Sequence, residues 1–171
     1  MSAPVQLDIL EGLGDDTTSP GCLVIAQEAR KIPGVTAVVW KWYQWPLVLA
    51  ARKKLPADRL WAVVGYSNGG SEATQVAADG LIVDLLVALD PTIWLACAPL
   101  HDNVKRAICF HNVNPASSFP PVGHASLSVA VDFKGLLQTF NTWDLHNNVD
   151  TDPVIQAAVI AAVKQLAGAS S

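Results

Sequence analysis

Strand-length runs that are apolar at nearly every position alternate with helix-length segments almost from end to end of this chain. That alternation is its strongest constraint. A strand with one wet face alternates apolar and polar residues, whereas a strand apolar throughout must be covered on both faces. Such coverage is the condition of a parallel sheet between layers of helices. Val5 to Leu10 is the first run, interrupted by Gln6 and Asp8, and it stops at Glu11-Gly12-Leu13-Gly14. Pro20 sits where a helix can begin, and Cys22, Ile25, Ala26 and Ala29 follow at helical spacing towards Pro33-Gly34. Val35 to Trp40 is β-branched and reads as the second strand. Pro46 to Leu55 reads as a helix, Leu60 to Val64 as the third strand, and Asn68 to Ala78 as the next helix.

Leu81 to Leu89, Val104 to Phe110 and Leu127 to Val131 supply the fourth, fifth and sixth strands. Between the last two, Asn114 to Gly123 is a loop centred on Pro120-Pro121. A final helix runs from Val154 to Leu166, with Asp152 as N-cap and Pro153 at its first position; residues 168–171 form a frayed tail. The expectation is an α/β fold, a three-layer α/β/α sandwich whose mostly parallel sheet has about six strands. No repeat or shift in composition divides it, so residues 1–171 read as one domain.

Charge narrows the partners. Eleven Lys and Arg against fifteen Asp and Glu give −4, and no basic cluster exceeds Arg52-Lys53-Lys54, which argues against nucleic acid. The most apolar window, Leu81 to Leu100, contains Asp84, Asp90 and Pro91. A membrane span needs about 20 mostly uncharged residues, so this window reads as buried strand and loop. Met1-Ser2-Ala3-Pro4 has neither the basic start nor the apolar run of a secretory signal. A soluble, cytoplasmic-type protein is expected. Cys22, Cys97 and Cys109 are odd in number and widely spaced, which fits small buried residues rather than a zinc site or disulfides. No metal or cofactor is expected.

The sharpest chemical signal is Gly65-Tyr66-Ser67-Asn68-Gly69-Gly70, a G-x-S-x-G between an apolar strand and a helix-compatible segment. A serine at the tip of a tight strand-to-helix turn takes strained backbone angles and needs small neighbours two residues either side. The following helix aims its N-terminus at the serine, so the Asn68 amide faces any developing oxyanion. Ser67 is therefore the candidate nucleophile. A second oxyanion donor is expected from the loop after the first strand, with the Leu13 amide preferred and Gly12 and Gly14 permitting close approach. The competing reading of that loop is a plain glycine turn or a phosphate cradle, which Asp15 and Asp16 would repel.

The base must be one of four histidines. In such chains the order is serine, acid, histidine, which favours His146, in the polar loop before the last helix, over His101, His111 and His124. The acid follows by elimination. Asp90 closes the fourth strand on the same edge as Ser67, whereas Glu72 and Asp79 belong to a helix, Asp84 lies within a strand run and Asp102 is at the opposite edge. Asp132 and Asp144 are the reserves, and a strand-end Asp is often only a turn former.

Together, the G-x-S-x-G elbow, Leu89-Asp90-Pro91-Thr92 after the next strand and the late His146-to-Pro153 loop resemble the α/β-hydrolase superfamily. The likeness spans Val5 to Leu166 and is to small, lidless, bacterial or phage-borne esterase/lipase-like proteins. The Tyr66-Ser67 pair is also similar to the elbow of cutinases, without their disulfides. Superfamily members commonly begin the oxyanion loop with His-Gly; this chain has Glu11-Gly12, an acidic side chain that disfavours an oxyanion unless it points away.

The resemblance implies a serine hydrolase: Ser67 attacks an ester or thioester carbonyl, His146 takes its proton, Asp90 holds the imidazole, and the Leu13 and Asn68 amides bind the oxyanion. Asp90 and Val104 are too close in sequence to hold a lid, so the site should be open to a short acyl ester or an exposed polymer. Gly12, Tyr66, Trp94 and Trp143 are the expected substrate contacts, although tryptophans at strand ends also serve simple packing. The alternatives are a thioesterase or polyester hydrolase, a degenerate non-catalytic binding module, and a nucleotide binder using Gly12-Leu13-Gly14. The last lacks the third glycine of G-x-G-x-x-G.

Overall fold

A computed structural model describes residues 4–14, 19–118 and 124–168. The expected loop residues Asp15, Asp16, Pro120 and Pro121 and the tail from 169 onwards lie outside the described residues. Six strands form one sheet: β1 (Val5–Leu10), β2 (Val35–Trp40), β3 (Leu60–Tyr66), β4 (Leu85–Leu89), β5 (Arg106–Asn112) and β6 (Leu136–Thr142). Their order is β2-β1-β3-β4-β5-β6 and every pairing is parallel. Among the described residues, four α-helices cover it: α1 (Pro20–Ala29), α2 (Trp45–Arg52), α3 (Asn68–Ala78) and α4 (Pro153–Leu166). None of the described helices is long and apolar enough to cross a membrane.

Each face of the sheet has its own core. On one, Val5, Leu7 and Ile9 of β1 and Val64 of β3 meet Cys22 and Ile25 of α1 and Ile155 and Val159 of α4. On the other, Trp61 and Val63 of β3 meet Val48 of α2 and Val76 of α3. The parallel sheet is thereby sandwiched, as the apolar strand runs require. Gln6 and Asp8, the polar interruptions of β1, are buried as well. The Asp8 carboxylate accepts from the Trp40 indole (2.8 Å), the Trp61 indole (2.8 Å) and the Gln6 amide (3.0 Å). Burial raises its pKa, and those three donors only partly offset the rise. Cys22 and Cys109 are buried and Cys97 half-buried, all as free thiols.

The sixth strand is not where the apolar run placed it. Leu127 is buried, but Val129 makes only an isolated bridge to Leu100 and Val131 is exposed. The strand that pairs with β5 is Leu136–Thr142, Leu-Leu-Gln-Thr-Phe-Asn-Thr. It is an edge strand, with Leu136 and Phe140 exposed, and an edge strand needs no continuous apolar sequence. Other boundaries differ too: α2 is Trp45–Arg52 rather than Pro46 to Leu55, β3 runs on to Tyr66, and β5 starts at Arg106. β4 begins at Leu85, because Val83 only bridges Val104, and β5 runs on to Asn112. The α4 cap is as expected: the Asp152 carboxylate accepts from the Val154 and Ile155 amides behind Pro153.

Candidate active site

β3 and β4 end side by side, and their last ladder bonds place two special residues at the same rim. The Ser67 N–H donates to the Leu89 carbonyl (2.9 Å), and the Asp90 N–H to the Phe110 carbonyl (2.8 Å). Both residues have positive φ, 54° for Ser67 and 41° for Asp90, a conformation that costs of order 1–3 kcal/mol outside glycine. The elbow is held by close packing. A Cβ on Gly65 would sit 2.0 Å from the Gly69 carbonyl oxygen, and one on Gly69 2.2 Å from that of Leu10. Only glycine permits α3 to start directly against β3 and the end of β1.

His146 opens a single turn of 3₁₀ helix, His146–Asn148, after β6. Its Nε2 lies 2.9 Å from Ser67 Oγ and its Nδ1 2.6 Å from Asp90 Oδ2. All three residues are buried. Hydroxyl, imidazole and carboxylate therefore form one hydrogen-bonded chain, assembled from the ends of β3 and β4 and the loop after β6. The other carboxylate oxygen of Asp90 accepts from the His124 amide (2.8 Å) and, at 3.4 Å, from the Asn112 amide. Burial would raise the Asp90 pKa, but the bond to His146, the His124 amide and the histidine charges together hold it below its ordinary value. The acid stays ionised.

Of the remaining histidines only His124 reaches the site, through its amide on Asp90; His101, His111 and the reserve acids bond elsewhere. His101 pairs with Asp132 at the surface, His111 approaches the Ala125 carbonyl, and His124 Nδ1 donates to the Asn112 carbonyl. Asp144 accepts from the Thr142 hydroxyl.

On the oxyanion side, Asn68 is the first residue of α3, so its backbone N–H has no partner within the helix. Gly12 abuts the nucleophile: a Cβ there would lie 3.1 Å from Ser67 Cβ. Its own amide donates to Ser19 Oγ (3.0 Å), and Leu13 follows it at the exposed rim. Glu11 is buried, and its carboxylate meets the half-buried Lys41 ammonium at 2.9 Å. Trp94 and Trp143 are 50% and 70% exposed, on the loops after β4 and β6. Tyr66, expected at the substrate surface, is instead 3% exposed. Its ring stacks on the His146 imidazole (centroids 5.4 Å, planes 27° apart), and its hydroxyl donates to the His146 carbonyl (2.8 Å).

Three contributors, Ser117, Asn112 and Asp150, gave no signal in the sequence. Ser117 Oγ accepts from the His146 amide (2.6 Å) and from Asn112 Nδ2 (2.9 Å), yet its segment read only as a proline- and serine-rich loop. Asp150 is buried and accepts from the Gly21 amide at the start of α1 (2.8 Å). Burial lifts its pKa to about 6 against the lowering effect of the backbone amides it accepts from.

No family model and no curated protein matches this chain. Solved structures do. Human thioesterase 2 superposes with a TM-score of 0.64 at 12% identity, covering 99% of both chains. A cutinase-like protein from Cryptococcus sp. gives 0.52 at 10% identity, covering 98% of this chain and 97% of its own. A type II thioesterase of the yersiniabactin biosynthetic pathway gives 0.52 at 8% identity over the same shares. At such identities the likeness concerns architecture. The chain has the α/β-hydrolase fold.

Proposed function

We propose that this protein is a serine hydrolase of carboxylic esters or thioesters, with Ser67 as nucleophile, His146 as general base and Asp90 as the acid that orients it. The observation that carries the reading is the continuous hydrogen-bonded chain from Ser67 Oγ through both ring nitrogens of His146 to Asp90. As Ser67 Oγ attacks the acyl carbon, its proton passes to His146 Nε2, and the ionised Asp90 stabilises the resulting imidazolium. His146 returns that proton to the departing alkoxide or thiolate. It then takes a proton from the water that cleaves the acyl-enzyme, and Ser67 is regenerated. The developing oxyanion is held by the Asn68 amide at the start of α3 and by the Leu13 amide from the loop after β1. Glu11 is no obstacle, since its negative charge is paired with the Lys41 ammonium.

The segment between Asp90 and β5 is short, and Trp94 and Trp143 stand exposed at the rim. Both features favour a short acyl group or an exposed polymer chain over a long buried lipid. The structurally similar proteins are thioesterases and a cutinase-like protein, so thioesters and polyesters belong in the test beside simple esters. The wild type should hydrolyse p-nitrophenyl acetate or butyrate, or an acyl thioester followed by thiol release, well above Ser67→Ala. Equal rates for the two proteins across the acyl series would refute the hydrolase reading in favour of a binding module.

A further inference from the structure

We infer that Ser117 and Tyr66 are positioning residues that clamp the His146 backbone at both its N–H and its carbonyl and so set the imidazole between Ser67 and Asp90. The inference rests on the hydrolase reading for its catalytic meaning. Its geometric content stands alone.

His146 lies on a loop, not on a strand, and its 3₁₀ turn is a single turn long. Such a segment does not fix a side chain by itself. Two contacts outside the turn do. On one side the His146 N–H donates to Ser117 Oγ (2.6 Å), and on the other the Tyr66 hydroxyl donates to the His146 carbonyl (2.8 Å). The Tyr66 ring also stacks on the imidazole at an inclination of 27°.

Both clamps are anchored to residues that carry the chemistry. Tyr66 immediately precedes Ser67, so a single dipeptide holds the nucleophile and grips the histidine carbonyl. Ser117 is tied by Asn112 Nδ2 (2.9 Å), whose backbone amide approaches Asp90 Oδ1 at 3.4 Å. Asn112 Oδ1 accepts from the Asn114 amide, which steadies the turn that carries Ser117. The histidine is thus referenced to the serine through Tyr66 and to the acid through Asn112 and Ser117. Burial pushes the Tyr66 phenol well above its ordinary pKa, so its hydroxyl remains a donor.

The test needs Ser117→Ala, Tyr66→Phe and the rescue variant Ser117→Thr, each with two readouts. The first uses no substrate. A proton held between His146 Nδ1 and Asp90 at 2.6 Å gives a far-downfield NMR line in the resting protein. That line should be sharp in the wild type and in Ser117→Thr, and broadened or lost in Ser117→Ala and Tyr66→Phe. The second is ester turnover per active site, counted by stoichiometric labelling of Ser67. kcat should fall roughly tenfold in each loss variant, the rate equivalent of one neutral hydrogen bond, with KM and labelling stoichiometry unchanged.

An unchanged downfield line in both loss variants overturns the inference. So does a loss confined to labelling stoichiometry, which means misfolded protein rather than a displaced histidine. A wild type that shows the line, loses it in the variants and hydrolyses nothing keeps the positioning role and rejects the hydrolase reading.

Discussion

Gly69→Ala probes the packing that builds the elbow. The added Cβ would lie 2.2 Å from the Leu10 carbonyl oxygen and 2.4 Å from that of Glu11. Both are backbone atoms, so no side-chain rotation relieves the contact. Restoring ordinary separation requires the end of β1 and the start of α3 to part by about 1 Å, given carbon contact distances near 3.5 Å. Overpacking of this kind costs about 1–3 kcal/mol. Gly12, which abuts Ser67, and the Asn68 amide move with those two segments, and a shift of about 1 Å in a reacting constellation costs on the order of 100-fold in rate. Gly80→Ala is the control. Its φ is +83° but its Cβ would meet nothing within 4 Å, so it carries only the left-handed backbone penalty of about 1–2 kcal/mol. Urea denaturation and the second-order rate of fluorophosphonate labelling measure the two effects separately. Gly69→Ala should lose both stability and labelling rate, and Gly80→Ala stability alone. A Gly69→Ala protein as stable and as rapidly labelled as the wild type would refute the packing argument.

Other substitutions test other parts of the account. Asp90→Asn keeps the shape of the acid but not its charge; kcat should fall on the order of 10⁴-fold with KM little changed, as measured by ester hydrolysis at saturation. Asp150 has its pKa raised to about 6 by burial, so the folded state retains a proton that the unfolded chain releases near pH 4. Its stabilising contribution is complete below pH 4 and is lost as pH rises through 6. At about 1.4 kcal/mol per unit the loss is about 3 kcal/mol, and denaturation from pH 4 to 7 should show it in the wild type but not in Asp150→Asn. Trp61→Phe deletes one of three donors to the buried Asp8 carboxylate and should cost about 1.5–3 kcal/mol in chemical denaturation.

Legibility in the sequence followed the strength of local physics. β1, β2 and α4 were readable because a short apolar run ending at glycines, β-branched residues and a Pro-capped start each act within a few positions. The elbow was readable because Gly65 and Gly69 are demanded by contacts with neighbouring backbone. The fold class followed from strands buried on both faces. β6 was misplaced because an edge strand half exposed to solvent carries no apolar signature, while Leu127 and its neighbours carry one without forming a strand. The meeting of Ser67, Asp90 and His146 was inferred from chain order and strand ends, and the structure brings these three together. Ser117, Asn112 and Asp150 were invisible because their roles depend on contacts 22 to 129 residues away. For Tyr66 the sequence indicated proximity to the site but not its direction, which burial beneath His146 decides.

The hydrolase reading stands or falls with Ser67 as a nucleophile activated by His146. The most direct measurement is intact-protein and peptide mass spectrometry after treatment with a fluorophosphonate. One adduct per chain is expected, on the peptide bearing Ser67, absent from Ser67→Ala and greatly slowed in His146→Ala. Labelling that is absent from the folded wild type, or equal in all three proteins, would contradict it.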